Sequence, residues 1–172
     1  NTQGAHRVGV IGLGAGTLAS YGRAGDDYRF YEIDPTVAQF ADRHFSFLRD
    51  SAAASAVVLG DGRLKLEAEA PNGYRMLVVD AFSSDAIPMH LLTVEAMRTY
   101  VQHVTPGGAV VFNISNRYLD LRPVIRTLAD AVDWRVQVVH DRPESGSGLL
   151  PSMWAVVSAD PDLHSALAAA GA

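Results

Sequence analysis

Arg7-Val8-Gly9-Val10-Ile11-Gly12-Leu13-Gly14-Ala15-Gly16-Thr17 begins as a short β-branched run and ends in alternating glycines. A strand that stops at glycines and gives way to a helical pattern, here Ala15–Arg23, opens a βα unit. The same alternation continues downstream. Tyr28–Ile33 reads as a strand, and Pro35 at a first helical turn starts a helix to Phe47. Ala56–Leu59 is a strand and Arg63–Ala70 a short helix ended by Pro71-Asn72-Gly73; Met76–Asp80 is an apolar run of the buried parallel type. Leu91–Val104 is an amphipathic helix ended by Thr105-Pro106-Gly107-Gly108. Ala109–Ile114 is the next strand, and Leu121–Val132 the next helix. Arg135–His140 and Met153–Ser158 read as two strands joined by a loop over 142–148, and Pro161–Ala170 as a closing helix. Ser51-Ala52-Ala53-Ala54-Ser55, a low-complexity stretch, reads as loop or helix end.

Five βα units followed by two strands without a full crossover helix predict a seven-stranded, mostly parallel, Rossmann-like α/β sheet. Its last strand is expected to be antiparallel. No repeat or linker divides the chain, so residues 1–172 read as a single domain. The chain starts at Asn1 without a Met and enters a strand at Arg7, which reads as a domain cut from a longer protein.

Bulk composition removes several function classes. Charged residues make up 19% and the net charge is −5, with no Lys/Arg run longer than a pair, which argues against a nucleic-acid surface. An acidic balance favours a cationic substrate. Cys is absent, so disulfides and thiolate metal sites are excluded. The six His are scattered without metal-ligand spacing, and no metal is expected. There is neither an 18-residue apolar run nor a signal peptide, so a cytoplasmic chain that does not itself enter a membrane is expected.

In such sheets ligands sit beyond the carboxyl ends of the strands. Gly12, Gly14 and Gly16 let the backbone approach a ligand, and the helix expected after them offers free N–H groups. A dinucleotide fingerprint would need Gly at Thr17, so the spacing instead suits a methionine-type nucleoside; a tight turn is the alternative. About 20 residues on, Glu32-Ile33-Asp34-Pro35 ends the second strand, where a carboxylate can accept both ribose hydroxyl hydrogens. Glu32 takes that role, Ile33 is counted with it, and Asp34 reads as the cap of the helix begun by Pro35. In Gly60-Asp61-Gly62-Arg63, Asp61 can accept from an adenine amino group, or simply turn the chain with Gly62.

Asp80 ends an apolar strand, a place where a carboxylate is costly without a purpose, and Asp85 follows on the same loop. Two acids there can hold an amine and take its proton, although Asp85 also reads as a turn residue. Asn113-Ile114-Ser115-Asn116-Arg117-Tyr118 is a polar loop facing the same cleft, or merely solvated.

Together these loops resemble the spermidine synthase (polyamine aminopropyltransferase) family, from Val8 to about Ala129. Gly12 through Thr17, Tyr31 through Pro35, Gly60 through Leu64, Asp80 through Thr93 and Ser115 through Leu121 are most similar to bacterial spermidine synthase-like domains. Many of those are attached to a multispan membrane segment. The resemblance implies the seven-stranded S-adenosylmethionine-dependent methyltransferase fold, with Glu32 on ribose and Asp61 with Gly62 on adenine. It implies Asp80 as acceptor for the attacking amine and Asp85 as the second acid, displaced by two residues. Two departures stand out: Ala15 replaces an Asp of the family, and the family's N-terminal β-hairpin domain is absent. Val10, where common methyltransferases place an acid, favours the aminopropyl branch.

The expected reaction is transfer of an aminopropyl group from decarboxylated S-adenosylmethionine to an amine such as putrescine, without a metal. No Arg or Lys lies between positions 8 and 22 to pair the carboxylate of intact S-adenosylmethionine. The alternatives are an S-adenosylmethionine-dependent methyltransferase and a non-catalytic nucleoside-binding domain of a membrane protein. The acceptor amine and assembly into a homodimer stay open.

Overall fold

The computed structural model describes residues 4–82, 87–116, 119–141, 143 and 150–171. Seven strands form one sheet: β1 (Arg7–Ile11), β2 (Asp27–Glu32), β3 (Ala54–Leu59), β4 (Tyr74–Val79), β5 (Val104–Asn113), β6 (Arg135–Asp141) and β7 (Ser152–Ser158). Their spatial order is β3-β2-β1-β4-β5-β7-β6. The first five strands are parallel, and β7 lies antiparallel between β5 and β6. The chain runs outward through β1, β2 and β3, then returns to lay β4 on the other side of β1. That reversal brings the loops after β1 and β4 side by side, the place where doubly wound sheets bind ligands.

Among the described residues six helices accompany the sheet: α1 (Pro35–His44), α2 (Phe47–Asp50), α3 (Gly62–Ala68), α4 (Val94–Gln102), α5 (Arg122–Asp130) and α6 (Pro161–Ala169). Strand periodicity sorts the core into two layers. Ile11, Leu77, Val79, Val110 and Phe112 face α3, α4 and α5, meeting Leu66, Met97, Tyr100 and Ile125. Val8, Val10, Phe30, Val78 and Val111 face the other way, toward Ala19, Ala41 and the partly buried Leu163 and Leu167.

Several elements differ from the sequence reading. The helix expected over Ala15–Arg23 is only a 3-10 turn, Thr17–Tyr21. It starts from left-handed Gly16 without a side-chain cap and ends at Gly22. A turn closed at both ends by glycine and burying Ala19 alone cannot extend into a full helix. The helix expected to reach Phe47 stops at His44 because Phe45 is extended (φ −125°, ψ 156°), and α2 begins anew at Phe47. Ala54 and Ser55 are strand rather than loop. The helix expected over Leu91–Val104 divides into a 3-10 turn, Met89–Leu91, and α4, which Thr93 caps by accepting from Ala96 N (3.1 Å). Thr105-Pro106-Gly107-Gly108 lies inside β5: Tyr74 pairs with Val104, but Met76 pairs with Ala109, so β5 bulges past β4.

Candidate functional site

The strand ends are tied together before any side chain acts. Gly12 N donates to Tyr31 O (2.8 Å), Asp80 N to Ile11 O (2.9 Å) and Gly60 N to Glu32 O (2.8 Å). Gly12 has φ +100°, and a Cβ there would lie 2.4 Å from the Asp80 carbonyl oxygen. Only glycine lets the first and fourth loops touch this closely. Gly62 makes similar room, since a Cβ would come within 2.8 Å of Ile11. Gly14 is left-handed (φ +54°) and open to its surroundings, whereas Gly16 turns its free side toward Leu48 of α2.

Glu32 is buried. Its Oε2 accepts from Leu13 N (3.0 Å) and its Oε1 from Asp34 N (2.9 Å), so one carboxylate bridges the first two loops. Each oxygen keeps a second lone pair for a ligand. Asp34 caps α1, accepting from Thr36 N (2.7 Å). Because the element after the glycine loop is a five-residue 3-10 turn, that loop offers backbone N–H groups but no helix terminus.

Asp61 caps α3 through Oδ1, which accepts from Leu64 N (3.1 Å). Its Oδ2 lies 2.9 Å from His90 Nε2. Together with Ile11, Gly12, Ile33, Pro88 and Leu91, these two residues line a narrow cleft. Its walls are apolar, Ile33 on one wall is 67% exposed, and Asp61 is among the lining residues. Such a slot fits a flat, partly apolar ring with a donor on its border.

Asp80 follows the last residue of β4 and is half-buried. Its Oδ1 accepts from Asn113 Nδ2 (2.8 Å) at the end of β5, and Asn113 Oδ1 in turn accepts from Ser115 N (3.1 Å). Burial pushes the Asp80 carboxyl above the ordinary carboxylate range, and the Asn113 amide draws it partly back. The result is an oriented carboxylate with increased affinity for a proton. Asp85, Arg117 and Tyr118 lie outside the described residues.

Ser115 links the fifth loop to β7, accepting from Met153 N (2.9 Å). Ala15 borders an open hollow with Val37, Phe40 and Phe45. The structure thus gathers Gly12, Glu32, Ile33, Asp61, Gly62 and Asp80 at one end of the sheet. Asn113 heads the polar fifth loop and His90 lies within the Asp80–Thr93 motif, but the sequence reading assigns a role to neither. A polar residue ending a β-branched strand was a signal for Asn113; His90, within an ordinary turn, offered none. Among the described residues, no three His, Asp or Glu side chains converge as metal ligands would, and no helix is long and apolar enough to cross a membrane.

No protein-family profile matches the sequence. The chain is similar to a polyamine aminopropyltransferase of Vibrio vulnificus (strain CMCP6), 33% identical over 114 residues. That match covers 62% of this chain and 37% of the relative, so the chain spans well under half of that protein's length. The fold is shared with human methyltransferase-like protein 13 in complex with SAH: TM-score 0.71, 20% identity, 92% of this chain and 73% of that one. A spermidine synthase in complex with the transition state analogue AdoDATO shares it too, at TM-score 0.67 and 16% identity, over 91% of this chain and 56% of that one.

Proposed function

We propose that this chain, a relative of the polyamine aminopropyltransferases (the spermidine synthase family), is the nucleoside-binding catalytic domain of an aminopropyltransferase. The observation that carries the reading is Asp80: a carboxylate that burial desolvates and Asn113 orients, on a residue whose backbone lies against Ile11 and Gly12. Desolvation costs a carboxylate stability, and a proton acceptor is the function that benefits from it.

In this reading the base of decarboxylated S-adenosylmethionine enters the cleft between Ile33 and Leu91. Asp61 accepts from its amino group, and the free lone pairs of Glu32 accept from the ribose. An acceptor amine of the putrescine type loses a proton to Asp80, directly or through water. A free alkylamine, with pKa near 10, is otherwise protonated at pH 7. The amine nitrogen forms a bond to the aminopropyl carbon next to sulfur. The carbon–sulfur bond breaks with its electron pair going to sulfur, which leaves as neutral methylthioadenosine. The leaving group's positive charge supplies the driving force, and positioning lowers the barrier further.

The decarboxylated nucleoside is favoured over the intact one because residues 8–22 contain no Arg or Lys to pair a carboxylate. We treat residues 1–172 as one domain with a cytoplasmic setting; membrane attachment forms no part of the proposal. The test incubates the intact protein with decarboxylated S-adenosylmethionine and a panel of diamines and measures methylthioadenosine. Release that depends on a diamine is expected. Methylation of an amine by intact S-adenosylmethionine, without release from the decarboxylated form, would assign the site to a methyltransferase instead.

A further inference from the structure

His90 lines the cleft, and the reaction above gives it no task. It sits in the Met89–Leu91 turn with a ring 47% exposed and Nε2 2.9 Å from Asp61 Oδ2. A carboxylate only accepts, so the imidazole carries a proton on Nε2 and donates it. The backbone that bears this ring is also held. Arg63 Nη1 donates to the His90 carbonyl (2.8 Å) and to the Thr93 hydroxyl (3.2 Å), and Arg63 Nε is paired with Glu67 (2.7 Å). The start of α3 therefore grips this turn twice, through the Arg63 guanidinium on its main chain and the Asp61 carboxylate on its ring. With Leu64 N on Oδ1 and His90 on Oδ2, both oxygens of Asp61, a residue that lines the cleft, are oriented.

We infer that His90 is a positioning residue that, by fixing Asp61, makes the cleft select a base edge carrying an amino group over one carrying a carbonyl. An amino N–H donates to the oriented carboxylate. A carbonyl oxygen in the same place meets lone pairs with no proton between them, and the mismatch leaves polar groups unpaired. Without the ring, Oδ2 is free to turn toward water and the discrimination weakens. The inference rests on the reading of the cleft as a nucleoside site.

The test is calorimetric titration of the intact protein with methylthioadenosine and methylthioinosine; the second replaces the amino group of the base by a carbonyl and adds a hydrogen on the adjacent ring nitrogen. The unaltered protein should prefer methylthioadenosine. His90→Ala should weaken methylthioadenosine roughly five- to tenfold and leave methylthioinosine unchanged, so the preference shrinks by the same factor. His90→Gln retains a donor and should keep most of the preference. An undiminished preference in His90→Ala, equal losses for both nucleosides, or a His90→Gln variant no better than His90→Ala would each overturn the inference alone. Binding of neither nucleoside by the unaltered protein would overturn the nucleoside reading itself, and this inference with it.

Discussion

Asp80 sits where burial and one amide oppose each other. Burial raises its carboxyl and the Asn113 amide lowers it, with burial dominant. A carboxyl whose folded pKa is raised contributes stability below the ordinary carboxylate value of about 3.9. That contribution disappears as pH rises through the folded value, so at pH 7 the ionised form costs the fold something. Asp80→Asn removes the cost and can still accept from Asn113 through its amide oxygen. Turnover should fall on the order of 10²–10⁴-fold, the usual contribution of a general base. The unfolding temperature at pH 7 should be no lower than that of the unaltered protein, and methylthioadenosine affinity should barely change. Methylthioadenosine release, thermal unfolding and calorimetry check the three arms. Full turnover in the variant would remove Asp80 from the mechanism. Glu32 shows another way a carboxylate serves at this scale, since its oxygens hold Leu13 N and Asp34 N before any ligand arrives.

The loop between β1 and the Thr17–Tyr21 turn owes its shape to contacts with a neighbour rather than to its own propensity. At Gly12, φ is +100° and the Asp80 carbonyl is too close for any Cβ. Gly12→Ala must therefore strain the backbone, at roughly 1–3 kcal/mol, and also part the β1 and β4 loops. The urea midpoint should drop accordingly and nucleoside affinity should fall with it. An alanine variant with unchanged midpoint and affinity would show that the loops do not need to touch. The 3-10 form of Thr17–Tyr21 follows from the same economy: Ser51 donates to the Ala19 carbonyl (2.7 Å), which anchors the turn from β3's side of the sheet.

Across the whole molecule, a polar network joins β2 and β4 to the segments that follow α3 and α4. The Tyr31 and Tyr74 hydroxyls are 2.8 Å apart, Glu69 accepts from Tyr31, Arg29 and Asn72, and Asn72 reaches His103 Nδ1 (3.0 Å). His103 is buried, and burial lowers its pKa, opposed by a hydrogen bond to the Leu66 carbonyl and by the nearby Glu69 charge. A histidine depressed in the fold stabilises it fully above the ordinary value of about 6.5. As pH falls below that value the unfolded chain takes the proton first, and stability declines until the depressed folded value is reached. Denaturant unfolding between pH 8 and 5 should show this loss, and His103→Gln should flatten it. An identical pH slope in both proteins would place the titration elsewhere.

What the sequence by itself determined were features carried by neighbours along the chain. Alternating strands and helices, the glycine loop, and carboxylates Glu32, Asp61 and Asp80 just at or beyond strand ends are all local patterns. Parallel strand direction then puts those ends on one side of the sheet. Tertiary structure alone decided where a local pattern stops and which distant groups meet. Phe45 breaks a helix that its periodicity would continue, and the Pro106–Gly108 stretch becomes a bulge inside β5 because β4 pairs on both sides of it. Asn113 reaches Asp80 across 33 residues and His90 reaches Asp61 across 29. Those pairs exist because β5 lies beside β4 and the Met89–Leu91 turn lies against α3; such adjacency is set by burial of the whole core, and no local window of sequence contains it.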